Sequence, residues 1–370
     1  MIYKSKNKNE LPTINQVMAM VRDLMSQMPV RHRMPYDEPV EGEDLFLLNR
    51  TASGLFTLKP NITMQPCLFY GDSDLNEDLQ PEWSRFTKRE EFIEQNVLRE
   101  EFELVMQSHP LYKLFEQGIP TRKNPVRIIN PFGNAMAYGF PSPMMPLTSS
   151  LDIAAFFATH RRDTVTGAWT AIPEKKESGE PNVGVLYILE LALPFPMMLG
   201  LSVIGMQAFE RTGRQRLFGL NVEAGRNFTD YRFVTGFEFK QCSDDTRNLG
   251  QLFNHGELLT PHELIADKAR AILQTKTVSE EAFQLNCKNN PRDIPAENRK
   301  VLEKAGVKIV KEPRHKFTED ELVQEFYPTA LQRWEEMFKR VIAVHPGFDR
   351  LLNDIRNFPN TAEGRQFFRR

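Results

Sequence analysis

One stretch, residues 131–160, constrains the fold of this chain more than any other. Gly139 is predicted to end a short helix over 134–138, because glycine tolerates the left-handed conformation found at helix ends. Three prolines fall within 140–147, so this part is predicted to be extended rather than helical. Residues 151–158 are apolar on almost every side, which is typical of a helix buried at the centre of a domain.

Three hydroxyl side chains, Thr148, Ser149 and Ser150, come directly before this apolar run. Such a cluster is typical of a helix N-cap, and Asp152 suits the positive end of the helix dipole. Free N–H groups at a helix N-terminus also bind anions. Two interpretations therefore stay open: plain capping of a core helix, or a binding site for a phosphate or a ribose.

Three motifs follow one another here: Tyr138-Gly139-Phe140-Pro141, then Leu147-Thr148-Ser149-Ser150, then a helix with Ala154-Ala155-Phe156-Phe157-Ala158. Together they resemble the central block of the FRG domain, a bacterial and phage-borne family named for a Phe-Arg-Gly motif. Upstream, Phe69-Tyr70-Gly71 stands where the family has its naming motif. Downstream, the segment 211–220 with Gln215 is similar to the third block. The likeness covers roughly residues 60–240.

The order of these blocks has a weaker likeness to ADP-ribosyltransferases, which hold NAD with an early Arg or His, a hydroxyl-bearing strand end and a later Glu. The resemblance implies that Tyr70, Thr148, Ser149 and Ser150 bind NAD or a related nucleotide, and that Gln215 takes the catalytic position. Each assignment has a structural alternative. Tyr70 can simply pack with its hydroxyl in solvent, and Gln215 can be an ordinary surface strand residue.

Several charged positions of these families are replaced here. Tyr70 stands for the arginine and cannot grip a phosphate with two charged hydrogen bonds. Pro143 and Pro146 stand for an Arg and an Asp, and no glutamate occupies position 215, although Glu210 or Glu223 can lie nearby. The sequence therefore predicts an FRG-like protein binding NAD or a related nucleotide, with ADP-ribosyltransferase-type catalysis in question. The alternative is a non-catalytic interaction protein whose C-terminal helices dock a protein partner.

Composition excludes some other classes. The net charge of −2 does not indicate nucleic-acid binding. The three cysteines are far apart and form no Cys-x-x-Cys pair, so no metal site is predicted. The sequence shows no apolar run of about 18 residues and no signal-peptide core, so we expect no membrane span and a cytoplasmic location in a bacterium or a phage-infected cell.

We expect an α+β fold with a mixed, mainly antiparallel sheet crossed by helices. Residues 1–43 are predicted as an N-terminal helix and linker, 44–245 as the FRG-like domain, and 246–370 as a helical C-terminal region. Residues 183–193 are apolar on both faces and predict a central strand. The long helix predicted over 88–107 has a Glu- and Arg-rich face that we expect to be solvated. Residues 260–263 are predicted to form a capping box.

Overall fold

The computed structural model describes residues 2–3, 8–27, 46–50, 56–60, 67–75, 79–122, 125–163, 166–191, 200–223, 225–290, 294–339, 341–342 and 349–368. The predicted linker over 29–43 lies outside these residues. Within them the protein is α+β, as predicted. Its strands are β1 (Ile2–Tyr3), β2 (Phe46–Arg50), β3 (Phe56–Pro60), β4 (Cys67–Asp72), β5 (Met144–Thr148), β6 (His160–Arg162), β7 (Trp169–Ala171), β8 (Val183–Glu190), β9 (Leu201–Val203), β10 (Leu217–Asn221), β11 (Val234–Lys240), β12 (Thr277–Ser279), β13 (Lys308–Val310) and β14 (Val341–Ile342).

The helices between these strands include the two predicted from periodicity, one near the N-terminus and one starting near residue 88. They are α1 (Ile14–Gln27), α2 (Arg89–Gln107), α3 (Pro110–Gln117), α4 (Pro131–Ala137), α5 (Leu151–Thr159), α6 (Glu210–Arg214), α7 (Ser243–Leu252), α8 (Leu264–Thr275), α9 (Glu280–Asn289), α10 (Pro295–Lys304), α11 (Glu319–Glu321), α12 (Ala330–Lys339), α13 (Asp349–Arg356) and α14 (Ala362–Phe368). The π-helical turn Leu322–Phe326 follows α11 directly.

The main sheet of the described residues has the strand order β1-β11-β8-β4-β5-β10-β9. Only the β1–β11 pair in it is parallel; all its other neighbours are antiparallel. The sheet is therefore mixed and mainly antiparallel, as predicted. β8 lies between β11 and β4, so the prediction of a central strand is confirmed. The proline-rich segment is extended, and its Pro146 pairs with Gly219 inside the sheet.

Both faces of this sheet are buried. On one face Phe69, Leu186 and Ile188 pack with α1 and α5. On the other face the alternate residues of the same strands, including Leu68 and Val185, join the largest core of the described residues. This alternation explains why β8 is apolar in every position rather than in every second one.

Helix α2 corrects one prediction. Arg89, Glu90 and Glu91 in its first turn are exposed, but the Glu- and Arg-rich face around 99–101 is not solvated, because α8, α9 and α10 pack along the helix. Glu101 is buried and accepts hydrogen bonds from the backbone N–H of Ser279 (2.7 Å) and from its hydroxyl (2.6 Å). Arg99 is also buried and forms a 2.7 Å ion pair with Glu100. The periodicity was right, but the partner elements that cover the charged face are more than 150 residues away and left no local signal.

The predicted capping box at 260–263 is wrong. Thr260 donates its hydroxyl to Gly256 O instead, and the N-cap of α8 is Glu263, which makes no side-chain cap hydrogen bond. The Glu263 carboxylate accepts the Tyr138 hydroxyl (2.7 Å) and the backbone N–H groups of Glu210 (2.6 Å) and Arg211 (3.3 Å). The Glu263 carboxylate, which the sequence pattern at 260–263 assigned to the N-terminus of α8, therefore binds the N-terminus of α6 instead.

The region after residue 246 is predominantly helical, as predicted. Its helices contribute Trp334, Phe338 and Phe358 to the same core that covers the sheet. The division of the chain at 43 and 245 stays a prediction. No helix of the described residues is long and apolar enough to cross a membrane.

Candidate functional site

A cleft of about 500 Å³ opens beside the ends of β4 and β5. We call it the central cleft. Its walls come from β4, from β5 and the residues before it, from the end of α5 with β6, and from Gln215 ahead of β10. The volume lies in the range of small-molecule and cofactor sites.

Three of the five predicted site residues, Tyr70, Thr148 and Gln215, line this cleft. They lie far apart in the sequence and meet because β4, β5 and β10 are neighbours in the sheet. Ser149 and Ser150 are not among the lining residues. The motif order thus identified one shared cavity, although not every residue in it.

Gly71 explains why the Phe-Tyr-Gly motif can sit here. A Cβ atom at this position would lie 1.9 Å from Ala154 O and 2.9 Å from the backbone nitrogen of Ala158, both in α5. Only glycine allows β4 to approach the buried helix this closely. The close approach brings Tyr70 and Asp72, which flank Gly71, beside the end of α5.

Thr148 uses its hydroxyl to hold two segments together. Its Oγ1 donates to Gln215 O at 2.8 Å and accepts the backbone N–H of Ser150 at 3.2 Å. The side chain is also buried. The first bond ties the turn before α5 to the residue that precedes β10, so Thr148 positions Gln215 rather than offering a free donor to the cleft.

Ser150 is the N-cap of α5. Its Oγ accepts the backbone N–H of Ile153 at 3.4 Å. Ser149 donates its backbone N–H to Arg216 O at 3.3 Å. Of the two interpretations left open for the hydroxyl cluster, these contacts favour capping for Ser150. A ligand-binding role for Ser149 and Ser150 stays a prediction.

Gln215 is buried, not an ordinary surface strand residue. Its Nε2 donates to Leu259 O at 3.2 Å, which anchors the side chain. No described residue donates a hydrogen bond to its Oε1. An amide oxygen at the wall of a cleft is a hydrogen-bond acceptor, suited to a ribose hydroxyl or a base N–H group.

Tyr70 packs its ring against two other aromatic residues and still reaches the cleft. The ring centroid lies 6.1 Å from that of Tyr187 and 6.3 Å from that of Phe228. Burial, with a smaller contribution from Asp72, raises the pKa of the phenol. The phenol is therefore neutral over the whole physiological range and can donate one hydrogen bond.

The carboxylates of the cleft are not those expected from the sequence. Neither Glu210 nor Glu223 lines it; Glu210 pairs with Arg333 at 2.9 Å and Glu223 with Arg226 at 3.2 Å. Asp72 and Glu82 line it instead, and burial raises the pKa of both side chains. Neither Asp72 nor Glu82 was predicted from the sequence as a site residue.

Arg162 is a second group that the sequence did not single out as a site residue. It lines the cleft, and its Nε donates to Gly167 O at 3.2 Å. Burial, with Arg211 and Arg270 nearby, lowers its pKa to about 10. No carboxylate of the described residues pairs with Arg162. Arg162 therefore places a guanidinium group without an ion-pair partner at the wall of the cleft, and such a group favours an anionic ligand.

His160 completes this wall. Its ring stacks on Phe156, with centroids 4.2 Å apart. Its Nδ1 lies 3.2 Å from Phe156 O and 3.0 Å from Thr159 Oγ1, and a Cβ added at Gly250 of α7 would lie 3.2 Å from its Nε2. Burial lowers the pKa of the imidazole, so the ring is neutral at pH 7. His160 was not predicted from the sequence as a site residue.

The described residues contain no group of three His, Cys, Asp or Glu side chains placed to share a metal ion. No protein-family model, curated protein or solved structure matches the chain. The likeness to FRG domains and ADP-ribosyltransferases therefore rests on the motif residues alone.

Proposed function

We propose that the central cleft binds NAD or a related nucleotide, as an FRG-like domain of a bacterial or phage system. The observation that carries this proposal is the meeting of Tyr70, Thr148 and Gln215 in one cavity of about 500 Å³. The motif order in the sequence predicts these three residues as a site. Tyr70 lies in β4, Thr148 ends β5 and Gln215 lies between α6 and β10, so their meeting does not follow from closeness in sequence.

The charges of the cleft support an anionic ligand. Arg85, Arg161 and Arg162 line it, and Arg161 is held at 2.7 Å by Asp74. Arg162 has no such partner among the described residues. We assign the phosphate groups of the ligand to Arg162, because a phosphate would offset the repulsion from Arg211 and Arg270.

The remaining lining suits the rest of a nucleotide. Tyr70, Phe157 and Trp169 supply aromatic surface for a base or a nicotinamide ring. The Gln215 amide oxygen is an acceptor for a ribose hydroxyl or a base N–H group. In the ADP-ribosyltransferase analogy, positive charge develops on the ribose and needs a carboxylate. Asp72 and Glu82 are the cleft carboxylates that can take this role in place of position 215.

The alternative of a docking protein has less support from the contacts. The aromatic side chains of the C-terminal helices, including Trp334, Phe338 and Phe358, are buried in the common core. They are therefore occupied within the chain and unavailable to a partner.

The proposal is tested by calorimetric titration of the full chain with NAD. We expect saturable binding, weakened about tenfold by Gln215→Ala, because one hydrogen bond and a packed side chain are lost. Arg247→Gln is the control, since Arg247 pairs with Asp244 on the exposed side of α7 and does not line the cleft. An absence of binding at millimolar NAD, or equal effects of the two variants, would contradict the proposal.

Turnover is tested separately by nicotinamide release. If the cleft catalyses ADP-ribosyl transfer or NAD hydrolysis, the wild-type chain releases nicotinamide. Asp72→Asn or Glu82→Gln should then reduce the rate while NAD still binds. Binding without nicotinamide release would identify a nucleotide sensor.

A further inference from the structure

A second cavity of about 530 Å³ lies between the segment 205–214 and helix α12. It shares no lining residue with the central cleft. Its lining includes three cations, Arg214, Arg333 and Lys339, and two carboxylates, Glu210 and Glu336. None of these residues has a role in the proposed function, so the cavity needs its own explanation.

The cations reach the cavity from two separate elements. Arg214 comes from α6, whereas Arg333 and Lys339 come from α12, about 1.7 helical turns apart. Glu210 pairs with Arg333 at 2.9 Å and lies 4.0 Å from Arg214. One carboxylate therefore neutralises two guanidinium groups, and Lys339 has no acidic partner among the described residues.

We propose that this cavity binds a small phosphate-bearing anion. Guanidinium groups hold phosphate oxygens through two parallel hydrogen bonds, and an ammonium group adds a point charge. The three cations and the two carboxylates, Glu210 and Glu336, leave the lining with a net charge of +1, which favours an anion. The apolar part of the lining is limited to Ala208, Phe209 and the half-buried Met337, so a largely apolar ligand is a poor fit.

The experiment uses the full chain and inorganic pyrophosphate as the probe in calorimetric titration. We expect saturable binding that Arg214→Gln and Lys339→Gln each weaken about tenfold. Arg226→Gln is the matched control. Like Arg214, Arg226 is a partly exposed arginine with a glutamate partner in its own segment, but it does not line the cavity.

A second pair of variants tests the sign of the charge effect. Glu336→Gln should strengthen pyrophosphate binding several-fold, because it removes a negative charge from the lining. Glu335→Gln makes the same change in net charge at the neighbouring exposed position outside the lining, and it should have little effect.

Three results would overturn the proposal. They are no binding at ten millimolar pyrophosphate, equal losses in Arg214→Gln and Arg226→Gln, or a loss caused by Arg162→Gln instead. The last result would place the anion in the central cleft. The first two results do not depend on whether the central cleft binds NAD, and the third distinguishes the two sites, so the two proposals fail separately.

Discussion

The turn before α5 and the opposite wall of the central cleft both present polar side chains, but they differ in how these groups are used. In the turn, the Thr148 hydroxyl donates to Gln215 O and accepts the backbone N–H of Ser150, and the Ser150 hydroxyl accepts the backbone N–H of Ile153. In the wall, Arg162 has no carboxylate partner among the described residues, and Asp72 is partly desolvated, with one hydrogen bond from the backbone N–H of Asp74 at 3.1 Å. The polar groups of the turn therefore stabilise the fold, whereas Arg162 in the wall keeps a charge that a ligand can pair with.

This difference bears on how the hydroxyl cluster Thr148, Ser149 and Ser150 is interpreted. Hydroxyl groups before a helix suggest a binding site, because they can hold a phosphate or a ribose. Here its contacts serve the fold, and it contributes to the cleft by holding Gln215 in place. Groups whose hydrogen bonds and charges are not satisfied internally are better candidates for ligand contacts.

The largest effect is expected from Gly71→Ala. The added Cβ would overlap Ala154 O. The Cβ is attached to the backbone of β4 and the oxygen belongs to the backbone of α5, so neither atom can move away on its own. We expect a loss of more than about 4 kcal/mol in the free energy of unfolding, measured by urea denaturation. Gly179→Ala is the control: Gly179 has a φ of +85° with no atom within 4 Å of the added Cβ, and the cost there should be about 1 kcal/mol. Equal losses would mean that the β4–α5 contact is not tight.

A smaller loss of stability is expected from Thr148→Val. The isosteric change removes the hydroxyl and leaves Gln215 O and the Ser150 N–H without this partner, at a cost of about 2–3 kcal/mol. Ser150→Ala removes only the N-cap and should cost about 1 kcal/mol. Thermal or urea unfolding of both variants measures the difference. If Thr148→Val unfolds at the wild-type denaturant concentration, the turn is not the structural element described above.

The smallest effect, with the opposite sign, is expected from Asp72→Asn. Burial raises the pKa of Asp72, so the ionised form is less favourable in the folded than in the unfolded chain. This contribution lowers stability as pH rises from the unfolded pKa, near 3.9, through the folded pKa. Asp72→Asn removes it, so the variant should be more stable than wild type at pH 7. The difference should vanish below about pH 4.

Unfolding curves at several pH values measure this effect. A destabilised Asp72→Asn variant at pH 7 would contradict the account. It would mean that the Asp72 carboxylate stabilises the folded chain, as the hydroxyls of the turn do.

Much of the fold was accessible from the sequence. The spacing of apolar residues predicted α1 and α2. A continuous apolar run predicted β8, and the apolar stretch after Ser150 predicted α5. These signals are local, because each element's pattern reflects the surface that it buries. The failures were non-local: α8, α9 and α10 cover charged residues of α2, and Glu263 caps α6 rather than its own helix.

The sequence predicted which segments line the candidate site, but not the hydrogen bonds and charges of its side chains. Motif order brought Tyr70, Thr148 and Gln215 to one cleft, yet it did not show that Thr148 is already hydrogen-bonded. It also missed Asp72, Glu82 and Arg162. Their importance depends on burial and on neighbours such as Arg211 and Arg270, which lie 49 and 108 positions from Arg162 in the sequence.

The most direct test of the central claim is a comparison of NAD binding by Arg162→Gln and Thr148→Ser in calorimetric titration. Thr148→Ser keeps the hydroxyl that holds Gln215, so its affinity should stay within about twofold of wild type. Arg162→Gln removes the uncompensated charge and should weaken binding at least about tenfold. Wild-type affinity in Arg162→Gln, or a larger loss in Thr148→Ser, would contradict the assignment of ligand binding to the cleft wall.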